Sequence, residues 1–141
     1  MTEKEVLETF KDSGVLKTFK KLTWEKRNEI IRKITSAIVA GQEYELHILL
    51  PGSHKNSNKK YPVVYVMDSQ WDFPLVKSIY GQQYYDGFIP EVIIVGVTWG
   101  GEKPNADSLR ARDYTPTNEA RQIQSGGADK FIQFMKDELF P

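Results

Sequence analysis

The chain has 141 residues, enough for one domain or part of one. Apolar residues make up 40% and aromatic residues 12%, which allows a packed core and excludes a disordered chain. The 19 basic and 19 acidic residues cancel, so there is no basic stripe for nucleic acid, and the lack of cysteine excludes disulfides, thiolate catalysis and thiolate zinc sites.

The opening Met1-Thr2-Glu3-Lys4-Glu5 lacks the basic-then-apolar pattern of a signal peptide, and no apolar run reaches membrane-spanning length. A soluble, cytoplasmic chain is the expectation, with a secreted or periplasmic intact protein left open.

Residues 1–29 read as a helical extension. Val6, Leu7 and Phe10, then Val15, Leu16 and Phe19, recur at helical spacing among charged residues. Gly14 separates two short helices, and Thr23 is placed to cap a third stretch from Trp24. Such a pattern suits an appendage packed on the domain or a partner-binding helix.

From Ile30 to Val39 the chain becomes rich in β-formers, and Gly41 marks a turn. Tyr44, Leu46, Ile48 and Leu50 then alternate with Glu43, Glu45, His47 and Leu49, predicting a half-buried strand with one polar face. Together these segments predict an antiparallel hairpin. A polar loop follows from Pro51 to Lys60.

Val63–Met67 and Val92–Val97 are continuous apolar runs, as in strands covered on both faces. A helical stretch from about Phe73 to Asp86 lies between them, so strand, helix and strand predict a parallel crossover unit. A long polar loop is expected from Thr98 to Ser125. A helix from Ala128 closes the chain, with Phe131, Ile132, Phe134, Met135 and Leu139 as its apolar stripe.

Five segments carry a family resemblance: Tyr44 to Pro51; Tyr61-Pro62-Val63-Val64-Tyr65-Val66-Met67-Asp68; Ile89 to Val97; Arg110-Ala111-Arg112-Asp113-Tyr114-Thr115-Pro116-Thr117; and Ser125-Gly126-Gly127-Ala128 running into Glu138-Leu139-Phe140-Pro141. In this order they resemble the putative esterase family of α/β-hydrolases, which includes esterase D, the enterochelin esterases and the mycolyltransferases. The resemblance covers residues 30–141. It implies an α/β fold, the N-terminal half of an α/β-hydrolase domain, in which an antiparallel hairpin leads into a parallel sheet with flanking helices.

What the resemblance implies chemically is ester hydrolysis by a serine on a G-x-S-x-G elbow, with a histidine as base and an acidic residue orienting it. In the family all three lie beyond the segment with which this chain ends, and the elbow is absent here. Ser125-Gly126-Gly127 has no glycine two residues before the serine and precedes a helix without following a strand, so Ser125 reads as a loop or capping serine. Ser53, Ser69 and Ser78 have no elbow context.

By the same resemblance, the backbone N–H of Gln70 is half of the oxyanion hole, with Ser69 standing where the family has glycine. Arg110 and Arg112 are candidates to grip a polar or acidic substrate group, or else to pin the long loop with Asp113. Trp71, Phe73, Trp99 and Tyr114 are candidates to line an acyl or aryl pocket, or else to cap the core.

Asp68, at a strand's C-terminal end, is expected to form a turn; a phosphoacceptor or magnesium ligand is the alternative. His47 and His54 read as surface histidines without a metal-ligand partner, and no metal is expected. The serine mechanism needs no cofactor.

The family's sheet order would leave Val63–Met67 as an uncovered apolar edge, so the isolated chain is expected to self-associate, aggregate or stay partly molten. The leading reading is a serine esterase acting on a small-molecule ester, with this chain inactive alone and with neither nucleic acid nor membrane as partner. The alternatives are a non-catalytic binding or interaction module, and a small receiver-like or flavodoxin-like domain.

Overall fold

The computed structural model describes residues 28–122 and 124–141; the helices expected around Val6–Phe19 and from Trp24 lie outside these. Four strands form one mixed sheet in the order β1 (Glu29–Thr35), β2 (Glu43–Leu49), β4 (Ile93–Trp99), β3 (Val63–Val66). The hairpin is present, with Glu29 opposite Leu49 and Thr35 opposite Glu43. Ser36 closes its turn: its Oγ accepts from the N–H groups of Ile38 (3.1 Å) and Val39 (2.8 Å), and Gly41 takes a φ of 75°. Val39, expected in the strand, lies in this turn and is buried against the core.

The β2–β4 pair is antiparallel and β3–β4 is parallel. Helix α1 (Ser69–Tyr85) supplies the crossover between β3 and β4. It starts four residues before the expected Phe73. Pro74 lies within the helix. The parallel pair beside an antiparallel hairpin also overturns the receiver-like or flavodoxin-like alternative, whose sheets are mostly parallel.

Cores form on both sides of the sheet. On one side Phe73 of α1 packs with Leu49, Val66 and Ile94. On the other, Tyr44, Leu46, Val95, Val97 and Trp99 meet Phe131, Phe134 and Met135 from helix α3 (Ala128–Phe134) and the π turn that continues it (Met135–Leu139). β4 is therefore covered on both faces, as its unbroken apolar run predicts.

β2 departs from the expected pattern. Its Leu49 is buried under α1, and His47 on the same side packs edge-on against Phe73 at 5.6 Å, so the face expected to be polar is partly covered. Ile132, expected in the apolar stripe of α3, is half exposed.

β3 is bonded only to β4 among the described residues, and its Val63 and Val64 are each 43% exposed. The expected long loop contains helix α2 (Ala106–Tyr114), capped by Asn105, whose side chain accepts from the N–H of Ser108 at 3.1 Å. Its composition is too polar to produce an apolar period, and the Asn105 cap was the local signal available.

Candidate active site

The C-terminal ends of β3 and β4 bring together Asp68, Gln70, Arg110 and Tyr114. Asp68 ends β3 and adopts the left-handed conformation (φ 52°, ψ 37°). Asparagine and aspartate tolerate this region better than most residues. The left-handed residue is thus Asp68 and not Ser69, which sits at the first helical position and needs no glycine there. Asp68's carbonyl accepts from the N–H groups of Trp71 (2.9 Å) and Asp72 (3.0 Å). The N–H groups of Ser69 and Gln70 have no hydrogen-bond partner among the described residues. Unpaired donors are inherent to a helix start, and they favour negative charge.

The turn is held from several directions. Arg110 of α2 donates through Nε to both carboxylate oxygens of Asp68 at 2.9 Å, and the hydrogen bond to Asp68 raises the Arg110 pKa. The Arg110 guanidinium lies 5.8 Å from the Tyr114 ring centroid. The Asp68 N–H makes a long contact of 3.4 Å to the Tyr114 hydroxyl. Burial pushes the Tyr114 phenol up to about 12, aided by the carboxylates of Asp68 and Asp113 against the Asp68 N–H and Arg110. The Gln70 carboxamide oxygen accepts from Thr98 Oγ1 of β4 at 2.6 Å. Ser69 Oγ and Gln70 Nε2 are buried with no partner among the described residues.

Gly96 of β4 lets this turn sit close to the sheet. A Cβ there would lie 2.6 Å from Ser69 Cβ and 2.7 Å from Phe73 Cδ2. An open cleft of about 430 Å³, bordered by Asp107, Arg110, Tyr114 and Gln122, adjoins Arg110. A larger cavity of about 600 Å³ lies at the opposite end of the sheet, around Leu50 and Tyr84, away from this chemistry.

Arg112 and Trp99 are held in a different network. Asp113 is fully buried and accepts from Tyr44 Oη (2.7 Å), Trp99 Nε1 (2.7 Å) and Arg112 Nε (2.6 Å). Arg112 also donates to Gln42 Oε1 at 3.0 Å. Burial works against the Arg112 charge, but Asp113 outweighs it and raises the Arg112 pKa. Burial, then the bond to Asp113, raises the Tyr44 pKa.

The four aromatic candidates do not converge. Phe73 lies in the core under α1, Trp71 is exposed on α1, and Trp99 and Tyr114 meet on the other side at 5.5 Å. Sequence reasoning missed the Asp68–Arg110 pair because its members lie 42 positions apart, with no local spacing to connect them.

Ser125 is a loop serine. Its Oγ donates to the Gln122 carbonyl (2.7 Å) and accepts from the Glu119 N–H (2.6 Å). The glycines after it serve the backbone. Gly126 has a φ of 91°, and a Cβ on Gly127 would lie 2.8 Å from the Arg112 carbonyl. His47 pairs with Glu45 at 2.8 Å, and His54 Nδ1 lies 2.8 Å from the Pro51 carbonyl. Among the described residues, no group of three or more His, Asp or Glu is placed to hold a metal ion, and no helix is long and apolar enough to cross a membrane.

Comparison with known proteins places this geometry in a wider context. The sequence profile described as putative esterase matches residues 36–141. No curated relative matches the sequence. Among solved structures, the BES protein from Bacillus cereus is 27% identical with a TM-score of 0.67, aligned over 81% of this chain and 47% of its own. An IroE-like serine hydrolase from Shewanella oneidensis is 30% identical with a TM-score of 0.62, over 79% of this chain and 36% of its own. The siderophore hydrolase EstA from Aspergillus nidulans, at 18% identity and a TM-score of 0.62, covers 79% of this chain and 41% of its own, and shares the fold. The chain therefore spans less than half the length of these relatives. The mixed sheet with helices on both faces is that of a partial α/β-hydrolase domain.

Proposed function

This chain belongs to the putative esterase family, and on that premise we propose that the protein it forms hydrolyses carboxylic esters through a serine acyl-enzyme, with this chain supplying one wall of the site. The observation that carries the reading is the start of α1, where the left-handed Asp68 leaves the Gln70 N–H unpaired at the end of the parallel strands. A backbone donor at a helix start suits the negative oxygen of a tetrahedral intermediate, and one such donor contributes about 3–4 kcal/mol to catalysis. The Shewanella relative, described as a serine hydrolase, supports the same chemistry.

In this reading the nucleophile is not supplied by this chain, in which no G-x-S-x-G elbow is present. Arg110, bound to Asp68 and half exposed, takes the role of holding a negatively charged or polar group of the substrate. The Arg112 side chain and Trp99 bear on the site through the Asp113 network, which fixes α2 and so the position of Arg110.

The test uses the complete protein with an activated ester and a fluorophosphonate probe. Gln70→Pro removes the N–H within the first helical turn, where proline is tolerated. The expected result is a fall in kcat of about 10²–10³-fold with KM little changed. An unchanged kcat in a variant that melts like the parent removes Gln70 from the oxyanion hole. Arg110→Ala should raise KM more for esters carrying an anionic group than for neutral esters.

A second reading, a non-catalytic interaction module, rests on Trp71, Leu75 and Ile79, which expose a continuous apolar row along α1. A complete protein that neither turns over esters nor reacts with the probe favours it.

A further inference from the structure

Gln70 has little to hold it from within its own helix. Its N–H has no partner among the described residues, as the start of α1 dictates. Its carbonyl also lacks the usual donor four residues on, because that position is Pro74, which has no N–H. The next two residues differ: the Asp68 carbonyl accepts from the N–H groups of both Trp71 and Asp72. The direction of the Gln70 N–H is therefore set from outside the helix.

Strand β4 supplies that support. Residues two apart on a strand share a face, so Gly96 and Thr98 both look towards α1. Gly96 acts by having no side chain, which admits Ser69 and Phe73. Thr98, one step nearer the strand's C-terminal end, reaches Gln70 instead. Its Oγ1 donates to Gln70 Oε1 at 2.6 Å, near the short end for such bonds. Thr98 is buried and sits opposite Glu45 in the sheet register, and its branched side chain has few rotamers open to it. Gln70 Nε2 is buried with no partner among the described residues, so within them Thr98 makes the one hydrogen bond to this carboxamide.

We propose that Thr98 is a positioning residue for the ester hydrolysis inferred above: its hydroxyl, through the Gln70 carboxamide, sets the direction of the Gln70 N–H. The inference rests on the reading of that N–H as an oxyanion donor. Thr98 acts through Gln70 and does not itself touch the substrate.

A double-mutant cycle in the complete protein, assayed with an activated ester, tests this. Thr98→Val keeps the shape of the side chain and removes the hydroxyl. Gln70→Met keeps the length and removes the acceptor. Each should lower kcat by about tenfold with KM within about twofold, a smaller loss than removal of the N–H itself. The two together should lose no more than either alone, because both break one link. Thr98→Ser keeps the hydroxyl and should hold kcat near that of the parent. A lower urea midpoint with parental kcat in Thr98→Val would mean a purely structural role and overturns the proposal. Full additivity in the double variant, or an equal loss in Thr98→Ser, also overturns it. Gln70→Pro separates the proposal from the reading beneath it. If Gln70→Pro keeps kcat, the oxyanion reading fails and the proposal with it. If Gln70→Pro loses kcat and Thr98→Val does not, the proposal alone fails.

Discussion

Asp113 shows how one residue can organise a region without touching substrate. Its carboxylate takes hydrogen bonds from Tyr44, Trp99 and Arg112, and it has no exposure to solvent. Removing one member of such a set strands the others. Asp113→Ala should lower unfolding free energy by about 3–5 kcal/mol, measured by urea denaturation. Tyr44→Phe removes a single donor and should cost about 1 kcal/mol. Equal losses in the two variants would mean that the network does not act through Asp113. Tyr114 gives a test by pH. Its phenol titrates near 10 when unfolded and at about 12 when folded. The folded state thus holds its proton more tightly. The stability this contributes is complete below pH 10 and is lost as pH rises through 12. Tyr114→Phe should flatten the fall in stability between pH 10 and 12, and an unchanged slope would show that Tyr114 is not buried in its neutral form. Arg112 is the neighbour of Asp113 in the chain, whereas Tyr44 and Trp99 lie 69 and 14 positions away, with no local spacing to connect them. Arg110-Ala111-Arg112-Asp113-Tyr114 stood out as a motif, but whether Arg112 faced substrate or core depended on residues 42, 44 and 99, which only folding brings together.

Helix α1 joins the packing of the sheet to the geometry of the site. Its first turn sits on Gly96, with Ser69 and Phe73 where a side chain would otherwise be. Gly96→Ala should therefore cost about 1–3 kcal/mol by pushing the helix start off β4. Because Gln70 Oε1 is tied to Thr98 in the same place, the variant of the complete protein should also lose kcat. A stable, fully active Gly96→Ala protein would mean that the helix start does not need this close approach. Gly96 was visible in the sequence as a glycine within an apolar strand, the usual mark of a close neighbour. What approached it was not visible. The helix start expected at Phe73 came late because the left-handed Asp68 that begins the helix carries no marker stronger than being an aspartate.

At the scale of the molecule, the sheet is asymmetric. Among the described residues β1 and β3 are its two edges, β1 antiparallel and β3 parallel to its one neighbour, and β3 shows Val63 and Val64 to solvent. An apolar edge with free backbone groups pairs readily with another strand. This chain in isolation is expected to self-associate with rising concentration, and Val64→Lys should reduce that association in sedimentation experiments. A concentration-independent monomer in both forms would show that the edge is already protected. The solved relatives match this chain over less than half of their own length.

The sequence by itself determined the hairpin, the parallel crossover, the closing helix and the family, because alternation, apolar runs and ordered motifs are local and survive without contacts. It also determined that no G-x-S-x-G elbow is present in this chain. The tertiary structure decided which face each side chain serves. It placed Arg110 on Asp68, and Tyr44 and Trp99 on Asp113 beside Arg112. These depend on pairings between residues far apart in the chain, and composition and periodicity carry no record of them.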